Sequence, residues 1–413
     1  MSETRELLTD YFLAGIAAAG AKSTLSGLLP QSAPAGRTII LGCGKAAAEM
    51  ADVAVGQLSG PVAGCVVTRH GHGVGHVISG VAVIEARHPV PDLQSLEAGE
   101  RLLKLAASAG PEDRVIFLIS GGGSSLLCAP ASGIALAEKQ AMTDHLVRSG
   151  APIEAINLVR RHLSRVKGGR LAAAAGANGA ELLTYAISDI ANDDASLIAS
   201  GPSIGAAFAP EEAIAILEKS GWAVTPHLAA VIRANCPPAV PEHPVHMLAT
   251  NTQALEAVAV KARADGWNVI DLGARLTGDA ADLGKQHAAQ ARELITRPGR
   301  HLLLSGGELT VTGASKDGCG GPNLEYLTGL LSALDPSAPI EAVAGDTDGI
   351  DGSEDNAGGY IAAAWAAQTD CGAALASHRT YELLGSLGGL IITGPTRTNV
   401  NDIRMIAVEG SAQ

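Results

Sequence analysis

The chain has few aromatic residues, few charged residues and no long hydrophobic run, and each shortage excludes a class of protein. Aromatic residues form 3% of the 413 residues, which leaves few rings to stack against single-stranded nucleic acid. The net charge is −13 and no run of lysine and arginine interrupts it, so binding to a phosphate backbone is not expected. No apolar stretch reaches the length that spans a membrane. We therefore expect a protein that binds neither nucleic acid nor a membrane.

Cysteine is also sparse, and its spacing lacks the pattern of a metal site. The six cysteines form no C-x-x-C pair, which favours reduced thiols over a zinc site or a disulfide framework. The segment Ser2–Leu8 carries acids where a signal peptide carries basic residues. Both features predict a cytoplasmic protein.

Hydrophobic residues and glycine are abundant, and their arrangement predicts the fold class. Hydrophobic residues form 47% of the chain and glycine occurs 50 times, which is typical of an α/β enzyme. Short β-rich runs alternate with helical patterns, and this alternation predicts a parallel sheet covered by helices. A chain of this length favours two domains, and the prolines of Asn235–Pro244 indicate the boundary because they interrupt helices and central strands. We predict domains at residues 1–238 and 245–413, with the strand His246–Ala249 in the second.

Two predicted strands end in serine and glycine. Val115–Ile119 leads into Ser-Gly-Gly-Gly-Ser, and His301–Leu304 leads into Ser-Gly-Gly-Glu308. Glycines permit a sharp turn and leave backbone N–H groups uncovered, while serine hydroxyls add donors. Such turns can also be plain tight connections. The predicted cradle for a phosphate or carboxylate consists of Ser120, Gly121, Gly122, Gly123 and Ser124.

A third glycine turn carries a lysine. Gly42–Ala47 matches G-x-G-x-x-A, a loose form of the dinucleotide-binding fingerprint. That fingerprint requires an acid about 20 residues later for the ribose, whereas the next strand ends at Thr68 and Arg69. Lys45, at the start of a helix, suits contact with a phosphate or substrate. The alternative is a surface lysine.

The densest basic segment is Asn157–Arg170. On a predicted helix from Ile153 to Arg165, the spacing of Arg160, Ser164 and Lys167 predicts one shared face that could hold phosphates. The alternative is a solvated basic face.

Acidic residues follow two other predicted strands. Asp189 comes directly after Glu181–Ile187, Asp193 lies in the next loop, and Asp346 follows the strand Ile340–Ala344. Carboxylates at strand ends suit Mg²⁺, which takes one or two of them together with water and substrate phosphates. They could equally cap helices.

Together these segments resemble the class II glycerate kinases, a family whose members also carry the name hydroxypyruvate reductase of tartrate degradation. The resemblance covers nearly the whole chain. The matching motifs, in chain order, are Gly44–Ala47, His88–Asp92, Ser120–Ser124, Arg160–Gly169, Ser188–Asp189, Ser200–Pro202, Ser305–Glu308, Asp346–Gly352, Thr393–Thr396 and Thr398–Asp402.

The resemblance implies a Rossmann-like parallel-sheet first domain, a smaller α/β second domain of the MOFRL type, and an active site in the cleft between them. It also implies ATP-dependent phosphorylation of D-glycerate at its 2-hydroxyl, which gives 2-phosphoglycerate and ADP. The expected cofactors are ATP and Mg²⁺. A homodimer is compatible with the sequence, which does not fix the oligomeric state.

On this basis we predict roles for individual residues. Lys45 and Asp189 are the predicted catalytic residues, and Asp189 and Asp193 the predicted metal ligands. Besides the cradle, the predicted substrate or phosphate contacts are Arg160, Lys167, Glu308, Asn323, Asp346, Thr396 and Asn399.

The chain departs from the family at two places. Relatives often have Gly-Arg-Asn-x-Glu where this chain has Gly321-Pro-Asn-Leu-Glu325, so an arginine credited with a catalytic role in some members is replaced by Pro322. His378 and Arg379 precede Tyr381 where relatives commonly have Asn-Asp. Two other functions are open at this point: an NAD(P)H-dependent hydroxypyruvate reductase, and a non-catalytic sugar-acid sensor.

Overall fold

Two compact units, each with its own six-stranded sheet, make up the computed structural model, which describes residues 2–190, 192–313 and 317–411. The first unit is Thr24–Leu248. The second unit combines the segment up to Ser23 with the segment from Ala249 onward. The strands are β1 Thr38–Cys43, β2 Val62–Arg69, β3 Val81–Ala86, β4 Arg114–Ile119, β5 Glu181–Ile187, β6 Val245–Ala249, β7 Asn268–Leu276, β8 Gly299–Gly307, β9 Ile340–Asp346, β10 Gly358–Ala362, β11 Leu390–Ile391 and β12 Asp402–Gly410.

Helices precede, separate and follow these strands. They are α1 Glu3–Ala19, α2 Ala21–Thr24, α3 Ala47–Gln57, α4 Leu93–Ala107, α5 Gly123–Leu126, α6 Leu136–Arg148, α7 Ile153–His162, α8 Arg170–Gly176, α9 Pro210–Lys219, α10 Pro226–Ala234, α11 Asn251–Ala264, α12 Ala280–Leu294, α13 Pro322–Ser332, α14 Cys371–Ser377 and α15 Thr380–Ser386. Within the described ranges, none of the helices combines the length and the apolar character needed to cross a membrane.

The first unit is built on a sheet of order β3-β2-β1-β4-β5-β6, with parallel pairing from β3 through β5. Every residue of β1 and β4 is buried, as expected for central strands of a parallel sheet that helices cover on both faces. The strand order reverses between β1 and β4. In open parallel sheets, ligands bind outside the carboxyl ends of the strands at such a reversal. The predicted α/β fold with a Rossmann-like first sheet is confirmed.

The second unit has a mixed sheet of order β11-β10-β9-β12-β8-β7. Only β7 and β8 pair in parallel among the described strands of this sheet; the other pairs are antiparallel. Helix α13 is buried along most of its length, and its leucines join the apolar side chains of β8, β9 and β12 in one core. The smaller α/β second region of the prediction is therefore present as a mixed sheet.

The division of the chain into units differs from the predicted domains at two places, the N-terminal helix and the boundary near residue 245. Helix α1 belongs to the second unit, because its apolar face packs on α11 and Tyr11 donates a hydrogen bond to Asp265 (2.7 Å). Strand β6, predicted to open the second domain, instead lies beside β5 in the first sheet. The proline-rich segment leads the chain back to that sheet edge, where Thr184 N–H donates to the Pro244 carbonyl (3.0 Å). Helix α10 ends at Ala234, just before the proline-rich segment. The chain then adds strand β6 to the first sheet before it continues into the second unit.

Candidate active site

Lys45 lies directly beyond the carboxyl end of β1, where the turns after β1 and β4 are joined by hydrogen bonds. Lys45 N–H donates to the Gly121 carbonyl (2.8 Å), and Ala46 N–H donates to Ser120 Oγ (3.0 Å). Gly44 has φ +124°, and a Cβ there would lie 2.2 Å from Ser120 Oγ, so this close approach requires glycine. Lys45 is 9% exposed. The predicted lysine is thus a buried residue at the strand reversal and not a surface lysine.

The glycine turn after β4 places Gly122 beside the Lys45 side chain. Gly122 has φ +76°, and a Cβ there would lie 3.2 Å from His88 ring atoms and 3.3 Å from Lys45 Cγ. Gly123 N–H donates to the Ser120 carbonyl (3.4 Å) as the four-residue helix α5 begins. The turn therefore brings the backbone close to both Lys45 and His88.

Ser124 and Lys167 are in direct contact. Lys167 is 1% exposed, and its Nζ donates to the carbonyls of Ser124 (2.6 Å) and Leu127 (3.3 Å). The hydroxyls of Ser124 and Ser200 lie 2.9 Å apart. Burial, reinforced by nearby Lys139, lowers the pKa of Lys167 to about 7. The lysine is therefore a buried amine, and the alternative of a solvated basic face is excluded at this position.

The predicted helical face through Arg160, Ser164 and Lys167 is wrong. Helix α7 ends at His162, and Ser164 Oγ then accepts hydrogen bonds from the backbone N–H groups of Val166 (3.2 Å) and Lys167 (3.3 Å). Serine competes with the backbone in this way and favours a turn over a continued helix. The prediction failed because it used spacing alone and neglected this local hydrogen bond.

Arg160 and Lys167 nevertheless line one pocket, with a volume of about 170 Å³. Its other walls include Gly122 and Ser124 of the predicted cradle. The residues that sequence reasoning left out of the site are His88, Pro89, Pro91, Ser125, Leu136, Lys139, Gln140 and Thr143.

Lys139 is the most informative of the missed residues, because it is 4% exposed in the first turns of α6. It stands three residues before Met142 and seven before Leu146, the other two buried positions of that helix. This spacing places all three on one helical face. The sequence signal that could have identified Lys139 is its position on the apolar face of a predicted helix.

Asp189 and Asp193 follow β5, the strand next to β4. Both are partly buried, and Asp193 has φ +54°. Searched over the described ranges, the chain contains no group of three or more His, Cys, Asp and Glu residues arranged to hold a metal ion. The two carboxylates have the oxygen chemistry that Mg²⁺ prefers, and Mg²⁺ needs few protein ligands when water and phosphates complete its shell.

In the second unit, Asn323 is the centre of a buried polar cluster. Its Nδ2 donates to Oδ1 of Asp351 (3.2 Å) and to Oδ1 of Asp402 (2.8 Å), while Arg404 donates to the other Asp402 oxygen (2.6 Å). Burial raises the pKa of Asp351 to about 7 and also raises that of Asp402, against the opposing effect of Arg404. Asn323 is 1% exposed. The Nδ2 of this predicted substrate contact is thus bonded to internal partners, whereas its buried Oδ1 has no hydrogen-bond partner among the described residues.

The remaining predicted contacts of the second unit lie in or beside its strand-end loops. Asp346 Oδ1 accepts from Asp348 N–H (2.9 Å), and Asn399 Oδ1 accepts from Asn401 N–H (3.1 Å). The Thr396 hydroxyl donates to the Thr347 carbonyl. Glu308 is exposed just after β8. The structure thus brings Asp346 and Thr396 to neighbouring turns, whereas Glu308 follows another strand.

The two family departures also lie in this unit. Pro322 occupies the first turn of α13, where its fixed backbone and missing N–H are tolerated. His378 Nδ1 lies 3.2 Å from Oε1 of Glu325, whose pKa is raised by burial. Pro322 therefore begins the helix at the position where some relatives have an arginine.

Comparison with known proteins identifies relatives along nearly the whole chain. Residues 7–233 match a family described as a domain of unknown function, DUF4147, and residues 301–402 match the MOFRL family. A protein of Agrobacterium vitis that carries the name hydroxypyruvate reductase is 40% identical over 98% of this chain and 94% of its own. The glycerate 2-kinase of Pyrococcus horikoshii is 37% identical over 89% of this chain and 86% of its own.

A solved structure agrees with these sequence matches. The crystal structure of a glycerate kinase from Thermotoga maritima is 32% identical, with a TM-score of 0.87. The similarity covers 98% of this chain and 99% of that one. Both units therefore have counterparts in that structure.

Proposed function

Because the chain belongs to the family that joins the DUF4147 and MOFRL domains and includes the glycerate 2-kinases, we propose that it phosphorylates D-glycerate at the 2-hydroxyl. The phosphoryl donor is ATP, and the products are 2-phosphoglycerate and ADP. In this reaction the 2-hydroxyl oxygen forms the new P–O bond, the bond from the γ-phosphorus to the bridging oxygen breaks, and the hydroxyl proton is released.

The observation that carries the proposal is the arrangement at three adjacent strand ends. Lys45 follows β1, the cradle of residues 120–124 follows β4, and Asp189 follows β5. The hydrogen bonds between the turns fix Lys45 against the cradle. Phosphoryl transfer depends on positioning and neutralising charge and needs little covalent chemistry from the protein. A buried lysine beside a glycine turn supplies the positive charge and holds it in a fixed position.

Each residue then has a defined task. Lys45 neutralises the charge that develops on the transferred phosphoryl group, and the cradle contacts an anionic oxygen through its backbone and hydroxyl donors. Asp189 accepts the proton of the 2-hydroxyl or, with Asp193, holds Mg²⁺. When bound, Mg²⁺ supplies charge neutralisation and orientation of the nucleotide phosphates.

A reductase function has less support. The relative named hydroxypyruvate reductase and the G-x-G-x-x-A turn favour it. At the end of β2, however, Thr68 and Arg69 stand where an NAD site needs a ribose-binding acid, and Thr68 donates to the Lys45 carbonyl. Consumption of NADH with hydroxypyruvate would restore this alternative.

The test is phosphorus NMR of the purified protein with ATP, Mg²⁺ and D-glycerate. We expect 2-phosphoglycerate and ADP to appear together. We expect Lys45→Met to lower kcat at least about 100-fold, since losing a group that stabilises transition-state charge has an effect of this size. The exposed Lys219, replaced in Lys219→Met, is the matched control and should leave kcat unchanged.

Three results would each contradict part of the proposal. A 3-phosphoglycerate signal would overturn the regiochemistry, and no phosphorylated product from the wild type would overturn the kinase assignment. Near-normal turnover in Lys45→Met would remove Lys45 from the mechanism.

A further inference from the structure

Lys139 is a buried cation without an acidic partner. It is 4% exposed, and its Nζ makes no hydrogen bond of acceptable geometry with the described residues. The nearby Cys128 thiol, a weak acceptor, favours the charged ammonium, whereas burial, Arg160 and Arg165 oppose it. A lysine in such a setting costs stability unless something compensates its charge. Its retention on the buried face of α6 therefore calls for a functional explanation.

The pocket that Lys139 lines concentrates positive charge. Arg160 and Lys167 line the same pocket, and no aspartate or glutamate is among the described residues that form its wall. The two hydrogen bonds of Lys167 Nζ go to neutral carbonyls and leave its charge uncompensated. Two lysines and an arginine around one cavity, in an otherwise acidic protein, favour the binding of an anion, whose charge would stabilise the protonated lysines.

The size of the pocket suits a small organic anion. Its volume of about 170 Å³ corresponds to roughly six water molecules, each of which takes about 30 Å³ in the liquid. A three-carbon hydroxy acid fits such a space. The Ser125 and Thr143 side chains also line the pocket and provide polar atoms for a substrate hydroxyl.

We propose that Lys139, together with Arg160 and Lys167, binds the carboxylate of the hydroxy-acid substrate. The identity of the acid as glycerate rests on the proposed function, while the anion site rests on the cavity and its three cations. His88 and Gly122 form another part of the wall, and a Cβ on Gly122 would lie 3.3 Å from Lys45 Cγ. The carboxylate is thereby held close to the lysine assigned to the transferred phosphoryl group. Lys139 is a substrate-binding residue that raises affinity and selects for an acid.

The test uses Lys139→Met, which keeps the length of the side chain and removes its charge. We expect the dissociation constant of D-glycerate, measured by calorimetry without nucleotide, to rise at least 10-fold. The dissociation constant of a non-hydrolysable ATP analogue should change less than 2-fold. In turnover assays the KM for glycerate should rise more than kcat falls. Lys219→Gln, which removes an exposed lysine from α9, should leave all of these values unchanged.

A stability measurement separates binding from a structural role. Removal of an unpaired buried charge should keep or raise the melting temperature of the ligand-free protein, whereas a structural lysine would lower it. Lys139→Arg keeps the charge and serves as the second variant if the methionine variant folds poorly. It should retain more glycerate affinity than Lys139→Met.

The possible outcomes are distinct. Unchanged glycerate affinity in Lys139→Met, or a loss confined to the nucleotide analogue, overturns the carboxylate site. A wild type that binds glycerate through Lys139 but forms no phosphorylated product would refute the kinase proposal and leave the anion site supported. If the wild type forms 2-phosphoglycerate and the Lys139→Met variant is unaffected, the kinase proposal is supported and the carboxylate site is refuted.

Discussion

The two units both bury charged side chains, but they surround them differently. In the first unit, Lys139 and Lys167 face a cavity without an acidic residue in its described wall. In the second unit, Asp351 accepts hydrogen bonds from the backbone N–H groups of Asn323 and Leu324, each at 3.0 Å. Asp402 is held by Arg404. The buried carboxylates are thus satisfied from within, whereas the buried ammonium groups lack a counter-charge.

This difference separates a binding site from a structural cluster. Buried polar groups in stable proteins are almost always hydrogen-bonded, and a buried charge without a partner is costly. Carboxylates that are hydrogen-bonded from within therefore contribute to the fold, while buried ammonium groups that lack a counter-charge suit an anionic ligand. Perturbed pKa values occur in both units, so they do not distinguish the two cases. The hydrogen-bond partners of the buried charged groups distinguish a binding site from a structural cluster.

The largest expected effect on stability comes from breaking the internal cluster. Asn323→Ala leaves Asp351 and Asp402 without the amide donor that joins them. We expect a loss of about 2–3 kcal/mol in the free energy of unfolding, because buried acceptors lose their partner. Chemical denaturation measures it. Asn268→Ala, in which an exposed asparagine of β7 is removed, is the control and should cost under about 1 kcal/mol.

Catalysis by the folded variant tests the sequence-based role of Asn323. If its main task is structural, kcat/KM of the folded Asn323→Ala protein should fall less than 10-fold. A loss of several hundred-fold without a loss of stability would instead support direct substrate contact, and the contrast between the two units would fail.

An intermediate effect is expected at the glycine turn of the first unit. Gly122→Ala introduces a Cβ at 3.2 Å from His88 and 3.3 Å from Lys45 Cγ, at φ +76°. Gly150→Ala has a similar φ of +71° with no atom within 4 Å, so it isolates the backbone strain. Both variants should lose about 1 kcal/mol of stability from that strain. Only Gly122→Ala should also lower kcat, since its Cβ displaces the Lys45 side chain.

The comparison of turnover between these two glycine variants is decisive. Equal kcat values in both would show that the space beside Lys45 does not matter for turnover. A reduced kcat in Gly150→Ala as well would assign the effect to general strain.

Much of the fold could be predicted from the sequence because its local signals agree. The run Val115–Ile119, followed by glycines, forms a buried strand and a turn, as predicted. The predicted strand Glu181–Ile187 has the same bounds in the structure. The long-range placements were harder, because strand β6 and helix α1 owe their positions to partners far away in sequence. Periodicity does not identify such partners.

The candidate site was predictable to a lesser degree. Lys45 and residues 120–124 could be proposed from the sequence because glycine turns leave a sequence pattern, and the structure places them at adjacent strand ends. Lys139 was missed because its burial depends on how α6 packs, and a lysine in a helical segment ordinarily indicates a solvent-exposed face. Asn323 was predicted to contact the substrate because its motif resembles that of the family. In the structure, its Nδ2 donates hydrogen bonds to two internal carboxylates. A motif shows which residues belong together and leaves their partners undetermined.

The smallest expected effect is a change in the pH dependence of stability, and its sign differs between the units. Lys167 has its pKa lowered from 10.5 to about 7 by burial, so between these values the unfolded chain binds a proton that the folded chain lacks. Its contribution to stability therefore increases as the pH rises from about 7 to 10. Asp351 has its pKa raised from 3.8 to about 7, so the folded chain holds a proton that the unfolded chain has lost. Its contribution decreases as the pH rises from about 4 to 7.

Two variants isolate these opposite slopes. The difference in melting temperature between the wild type and Lys167→Met should depend on pH mainly above pH 7, and that between the wild type and Asp351→Asn mainly below it. Saturating D-glycerate should reduce the slope linked to Lys167, because a bound carboxylate favours the charged ammonium and raises its pKa. It should leave the slope linked to Asp351 unchanged, because the amide donors of that carboxylate are internal. If glycerate altered both slopes equally, or neither, the contrast between a pocket completed by a ligand and a cluster completed by the fold would be wrong.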